Sequence, residues 1–345
     1  MNREFDIAIV GQGIAGTLMA WNLRKTGKKV LIIDDHHHGS SSLVAAGIVN
    51  PITGKNYVTS WRIMDFLPVA KETYDELNRY FCFQCYIHSN IIRSLYSISD
   101  ENTWLAKSSD PELSQFICKN VDLDGYADKV HKPFSYGELT GTFYVNMALV
   151  MTAIKNEWIA NNSYIEERFQ YNQLNRIANG FTYLNMSFKE IVFCEGHQAI
   201  NNPFFPKLGL APSKGEVLLV KIPEARFTKM YKDGIFFVPQ GDYLFWVGSG
   251  YEWNALDDKP TQKNYDVLTS ELNRVLKIPY EIVDHKAAIR PTMQNRRPLL
   301  SEHETLEGMY LFNGLGTKGA SIGPFAAKQF SRYISEKNAA DLILT

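Results

Sequence analysis

The segment "IAIVGQGIAGTLMAW", residues 7–21, constrains this chain more than any other. An apolar run beginning at "FDIAIV" meets three glycines, Gly11, Gly13 and Gly16, and passes into a stretch with helical spacing. A second apolar run, "KKVLIID", ends on Asp34. Strand, glycine turn, helix and strand in that order demand two parallel strands joined by a crossover helix, so the fold opens as α/β. Gly11 permits the tight turn, Gly13 lets backbone amides approach a pyrophosphate, and Gly16 lets the helix pack closely on its strand. Ile14 and Ala15 open the helix, whose N-terminus favours an anion. Asp34 stands about twenty residues beyond the glycines, where a carboxylate accepts hydrogen bonds from ribose hydroxyls and repels a 2′-phosphate. Asp35 is the neighbouring candidate for that place. FAD or NAD is thereby favoured over NADP.

With 345 residues, 45% of them apolar, the chain can bury one complex core or two interleaved ones. Lysine plus arginine (36) nearly equals aspartate plus glutamate (37), so net charge gives no general reason to expect nucleic acid or an anionic membrane as partner. No apolar run approaches the length that spans a bilayer, and the first residues carry no charged-then-apolar export pattern, which points to the cytoplasm. Cys82, Cys85, Cys118 and Cys194 have no disulfide-framework spacing. The C-x-x-C of Cys82 and Cys85, inside "YFCFQCYI", has no second pair and reads as core packing. His36, His37 and His38 follow one another in a loop, point in different directions and read as surface, so no metal is expected.

Further along, "WRIMDFLPVAKETYDELNRYF" reads as an amphipathic helix. "GEVLLVKI", "GIFFVP" and "YLFWVGSGY" are rich in β-branched and aromatic residues and separated by turn signals, which suggests a second, largely antiparallel sheet. The chain closes with strand "MYLFNG" and helix "PFAAKQFSRYISEK", and between them lies a second glycine-rich turn, "GLGTKG". A nicotinamide enzyme with the first turn needs no such partner. A flavin does, because its isoalloxazine end lies far from the pyrophosphate and must be held by other segments.

Taken in order, "VGQGIAG", "LIIDD", "SSSLVAAGIVNP", "EIVFCEGH", "AIRPTMQNRRPLL" and "GLGTKGASIGPFAA" resemble the landmarks of the D-amino acid oxidase flavoprotein superfamily, the glycine and sarcosine oxidase-like enzymes. The resemblance touches nearly the whole chain. "CEGHQ", "DGIFFVPQ", "VGSGYEWNALDD" and "GLGTKG" look most like the FAD oxidase domain of the bifunctional tRNA 5-methylaminomethyl-2-thiouridine biosynthesis family. With the alternation of patterns, this implies a Rossmann-like FAD-binding domain of glutathione-reductase type from residues 1–60, 143–212 and 283–345. A mostly antiparallel β-sheet substrate domain, from 61–142 and 213–282, is interleaved with it. The resemblance further implies that Ser42, Ala46 and Gly47 lie beside the pyrophosphate and flavin ring and that Gly196 brings backbone close to the cofactor. Gly314, Gly316, Thr317, Lys318 and Gly319 would pass the pyrimidine edge, where Lys318 and a helix N-terminus lend positive potential. Some members attach FAD through a histidine shortly before the "AAG"; Val44 stands there, so the expectation is noncovalent FAD.

Enzymes of this superfamily take a hydride from the carbon beside an amine nitrogen, and no catalytic triad is needed. Arg290, in "IRP", falls where the family places the arginine that pairs with a substrate carboxylate, a task suited to the planar guanidinium fork. Tyr251 is a candidate cavity wall. Arg296 and Arg297 share a turn that leaves at least one of them in solvent, and Lys55 and Arg62 follow the "NPITG" loop near the expected pocket. The expected activity is FAD-dependent oxidation of a C–N bond in an amino acid or carboxylate-bearing secondary amine. One alternative is oxidative cleavage of a carboxymethylaminomethyl group on a tRNA wobble uridine, which asks for a basic surface around the cavity mouth. Others are an NAD-dependent dehydrogenase and a flavin-binding protein without turnover.

Overall fold

The computed structural model describes residues 3–35, 39–250, 252 and 257–337. Strand β1 (Arg3–Val10) lies at the centre of an eight-stranded sheet, parallel to β2 (Val30–Asp34) on one side and to Met186–Phe193 on the other. Tyr164–Glu166 and Met309–Asn313 extend the parallel set, while Gly180–Tyr183, Asn175–Ile177 and Leu299–Glu302 join antiparallel. Along β1, Ile7 and Ile9 enter one core and Phe5, Ala8 and Val10 the other. Burial on both faces is why this strand reads as an unbroken apolar run rather than an alternation.

Helices cover one face of that sheet: α1 (Ile14–Lys25), a short α2 (Ser41–Val44) nearby, α3 (Ile63–Phe81) and a closing helix, Gly319–Glu336, that packs against both α1 and α3. The closing helix begins at Gly319, ahead of the "PFAAKQ" start read from the sequence, and runs through Pro324. Pro324 has no N–H to bond the carbonyl of Ala320. The hydroxyl of Tyr74, fully buried on α3, donates to that carbonyl at 2.8 Å instead, so the proline is accommodated by a neighbour.

The second sheet has seven strands in the order Glu281–Arg290, Ser213–Lys221, Leu244–Gly248, Ile235–Pro239, Met230–Asp233, Ile91–Leu95, Ser135–Leu139. All neighbours are antiparallel except Met230–Asp233 beside Ile91–Leu95. Leu218, Val220, Tyr231 and Phe237 bury one face together with Leu268 and Leu272 of helix Gln262–Val275. On the other face, Val217, Ala288 and Trp246 pack on Val44 of α2, which joins this sheet to the first body.

Cys85 is buried, but Cys82 is exposed, so only half of the C-x-x-C is core. Cys82 ends α3 in the left-handed conformation, φ 55°, which leads the chain away from the helix and leaves its side chain outside. Among the described residues no group of His, Cys, Asp or Glu gathers as a metal site, and no helix is long and apolar enough to cross a membrane. His36 to His38 lie outside the described residues.

Candidate active site

The parallel strands end together. Val10, Asp34, Cys194 and Asn313 border one cleft at their carboxyl ends, the place where open α/β sheets bind ligands. Both glycine turns line it, the first through Gly11 and Gly13, the second through Leu315 and Gly316. Close helix packing brings the turns together: a Cβ added to Gly319 would lie 3.1 Å from Ile14, and one on Gly323 2.9 Å from Leu18.

At the first turn, Gly11 has φ +92°, and a Cβ there would lie 2.6 Å from the carbonyl oxygen of Cys194. A Cβ on Gly16 would lie 1.8 Å from the carbonyl oxygen of Gly11, so the turn folds back on its own helix only without side chains. The amide of Gln12 donates to Asp34 Oδ1 at 2.6 Å, and the hydroxyl of Tyr164 donates to Oδ2 at 3.2 Å, which orients the carboxylate at the cleft edge. Ser42 Oγ accepts from the amide of Ile14 at 2.9 Å. The amides that open α1 have no partner within the helix, and Ser42 brings a hydroxyl to the same spot. Ala15 is buried in the cleft wall and Asp35 is exposed at its rim.

Ala46 is buried, and Gly47, at φ +68°, packs so closely that its Cβ would lie 2.0 Å from the carbonyl oxygen of Val145. The carbonyl of Gly196 accepts from Asn313 Nδ2 at 2.7 Å, and Asn313 Oδ1 accepts from the amide of Gly314 at 2.8 Å. Asn313 thus clamps two strand ends to the second turn. Gly314 and Gly316 are left-handed, Thr317 is exposed, and Lys318 is half-buried with Nζ 3.2 Å from Ser60 Oγ. Burial, and then the charge of Arg296, hold the Lys318 ammonium below its usual pKa. Glu195, in the cleft wall, accepts from the Tyr171 hydroxyl at 2.5 Å and from Asn202 Nδ2 at 2.7 Å, and burial raises its pKa. Val44 is buried and its carbonyl accepts from Trp246 Nε1 at 2.8 Å.

Arg290 ends the first strand of the second sheet, and the next residue, Pro291, lines the cleft. Its guanidinium lies on Gly215, where an added Cβ would come within 2.0 Å of Nη2. Nη2 donates to Ser249 Oγ at 2.8 Å and Nη1 to the carbonyl of Lys214 at 3.4 Å. Tyr251 lies outside the described residues. Lys55 is exposed, Arg62 pairs with Asp65 at 2.7 Å, Arg296 is exposed and Arg297 stacks on Trp61 with 3.6 Å between its Cζ and the ring centre. Gln12, Ser249, Gly215, Trp246 and Asn313 escaped the sequence reading. Gly215 is unremarked in "SKGEV" and acquires meaning only through the register that sets it beside Ala288, two residues before Arg290.

A family model described as FAD dependent oxidoreductase, DAO, matches residues 6–332. The chain belongs to this family. It is therefore an FAD-dependent oxidoreductase, and the NAD-dependent reading is overturned. The cleft suits FAD: paired glycine turns, amides at the start of α1, the Ser42 hydroxyl and an oriented carboxylate at the end of β2 offer what a dinucleotide's pyrophosphate and ribose require. The fold is that of glycine oxidase from Geobacillus kaustophilus (TM-score 0.81, 17% identity, 98% of this chain and 96% of that one). Iminodiacetate oxidase from Chelativorans sp. (0.78, 16%, 96% and 95%) and L-amino acid deaminase from Proteus vulgaris (0.77, 14%, 98% and 91%) share it.

Proposed function

We propose that this FAD-dependent oxidoreductase oxidises the C–N bond of an amino acid or of a secondary amine bearing a carboxylate. The observation that carries the reading is Arg290, a guanidinium seated on Gly215 beside the wall of the cofactor cleft. Its fork, steadied by Ser249 Oγ and the Lys214 carbonyl, is directed to a substrate carboxylate and fixes how the neighbouring C–H bond is presented. When bound, FAD supplies the hydride acceptor. Gly11, Gly13, Ile14, Ala15, Gly16 and Ser42 hold its pyrophosphate, Asp34 with Asp35 its ribose, and Ala46, Gly47 and Gly196 let main chain approach the ring. Gly314 to Gly319 follow the far edge, where Lys318 adds positive charge. Val44 offers no nucleophile for attachment, so the cofactor is held noncovalently. In this reading the eight-stranded sheet is the body of the FAD domain and the seven-stranded sheet covers the substrate. The named structural neighbours act on amino acids or iminodiacetate, in agreement with this chemistry.

The test is a panel of amino acids and secondary amines offered to purified holoenzyme, with peroxide release and dye reduction followed in parallel. Bleaching of the flavin under anaerobic conditions by at least one carboxylate-bearing amine is expected. A flavin that no amine on the panel bleaches overturns the reading.

A further inference from the structure

Three segments distant in sequence, the second glycine turn, the turn after Arg290 and residues 60–62, meet at Ser60 and Trp61 and each brings a cation. Lys318 follows Gly316 in the second glycine turn, its Nζ lies 3.2 Å from Ser60 Oγ, next to Trp61, and burial followed by the charge of Arg296 lowers its pKa. Arg296 and Arg297 come from the turn after Arg290, and Arg297 lies flat on Trp61, while Arg62 follows Trp61 and faces Phe325 at 5.6 Å. Asp65 neutralises Arg62. Arg296, Arg297 and Lys318 form no ion pair among the described residues. In a chain whose net charge is −1, such a gathering is local and unbalanced.

Folding alone gives no reason to hold these charges together. Lys318 is half withdrawn from water and repelled by Arg296, which costs free energy. The stack on Trp61 orders the Arg297 fork, and none of its guanidinium N–H groups has a protein acceptor among the described residues. An ordered fork with unused donors on Trp61, and an ammonium held at the preceding residue Ser60, make a receptor for an anionic oxygen group. Backbone contacts connect it to Arg290: the amide of Gly316 donates to the carbonyl of Pro291 at 3.2 Å, and that of Thr292 to the carbonyl of Arg290 at 2.9 Å.

We propose that Arg296 and Arg297 form a second anion subsite beside the second glycine turn, to whose positive field Lys318 at the flavin edge adds, and that the substrate is an amine carrying two acidic groups, one for Arg290 and one for this rim. This rests on the assignment of Arg290 to a substrate carboxylate. A small dianion suits the rim better than a nucleic acid: Arg296 and Arg297 match one carboxylate or phosphate, whereas nucleic-acid binders neutralise roughly 6–10 phosphates.

Holoenzyme titrated with acetate and with malonate, succinate, glutarate and adipate, binding read from the flavin absorbance, tests this. At least one dicarboxylate is expected to bind about tenfold more tightly than acetate, the difference made by one good charged contact. Arg296→Gln and Arg297→Gln each reduce that ratio several-fold, and Arg296→Lys restores most of it. Acetate binding that depends on Arg290, with no dicarboxylate gaining on it, overturns the second subsite and leaves the function intact. If no ligand binds, or if Arg290→Ala changes nothing, both readings fall. A short single-stranded oligonucleotide that displaces the best dicarboxylate at lower concentration would overturn the small-ligand assignment.

Discussion

Gly215→Ala places one methyl group where the guanidinium of Arg290 now lies. The new carbon would stand 2.0 Å from Nη2, 2.2 Å from Cζ and 2.8 Å from Nη1. Ordinary contact needs about 3.5–4.0 Å, so the guanidinium must withdraw by roughly 1.5 Å or more. Leaving both groups in place would overpack the site by about 1–3 kcal/mol, whereas the end of an arginine can swing aside. The withdrawal breaks the 2.8 Å bond to Ser249 Oγ and takes the fork off its axis. A hydrogen bond to a charged group contributes about 1.5–3 kcal/mol, so carboxylate affinity should fall roughly 10- to 150-fold. Flavin-absorbance titration with a carboxylate ligand measures this, and the FAD-to-protein ratio and thermal midpoint should stay near those of the parent. An affinity within about twofold of the parent, in a protein that retains its FAD, would refute the claim that Gly215 seats Arg290.

Gly16→Ala drives a methyl to within 1.8 Å of a backbone oxygen that cannot swing aside, so the protein should purify with little flavin and a lowered thermal midpoint; full FAD content would contradict the close turn. Tyr74→Phe removes the donor that replaces the missing amide of Pro324, leaving the Ala320 carbonyl buried and unbonded; urea unfolding should register a loss of about 1–3 kcal/mol. Glu195 has a folded-state pKa above its ordinary 4.5, so its contribution to stability is complete below pH 4.5 and lost as pH rises through the folded value. Glu195→Gln should therefore flatten the decline in stability above pH 4.5, and denaturation curves whose difference between the two proteins is the same at every pH would count against a raised pKa.

The first turn was legible because its signal is local. Strand, glycines, helix and Asp34 sit within one supersecondary unit, and steric rules tie residue type to position. The second turn was legible by reason of ligand size, since a long flavin explains two glycine turns where a nicotinamide explains one. Both turns line one cleft. What stayed hidden depends on residues far apart in the chain. Asn313 bonds Gly196 and Gly215 seats Arg290, yet neither Asn313 nor Gly215 belongs to a pattern with a period. The start of the closing helix was misread for the same reason: Pro324 argues for a helix end or beginning, and only Tyr74, delivered by another helix, overrides it. Cys82 differs from Cys85 by one left-handed residue at the end of α3, a choice that apolar spacing does not encode.

The contact between Ile14 and Gly319 also sets a timetable for the protein's birth. These residues are roughly three hundred positions apart, and at about 5–20 residues per second the ribosome releases the first some 15–60 seconds before the second. Throughout that interval the nascent dinucleotide turn waits without its counterpart. Acquisition of the yellow colour is then a late event, and stalled translation intermediates ending before residue 309 should remain colourless however well their first strands have formed.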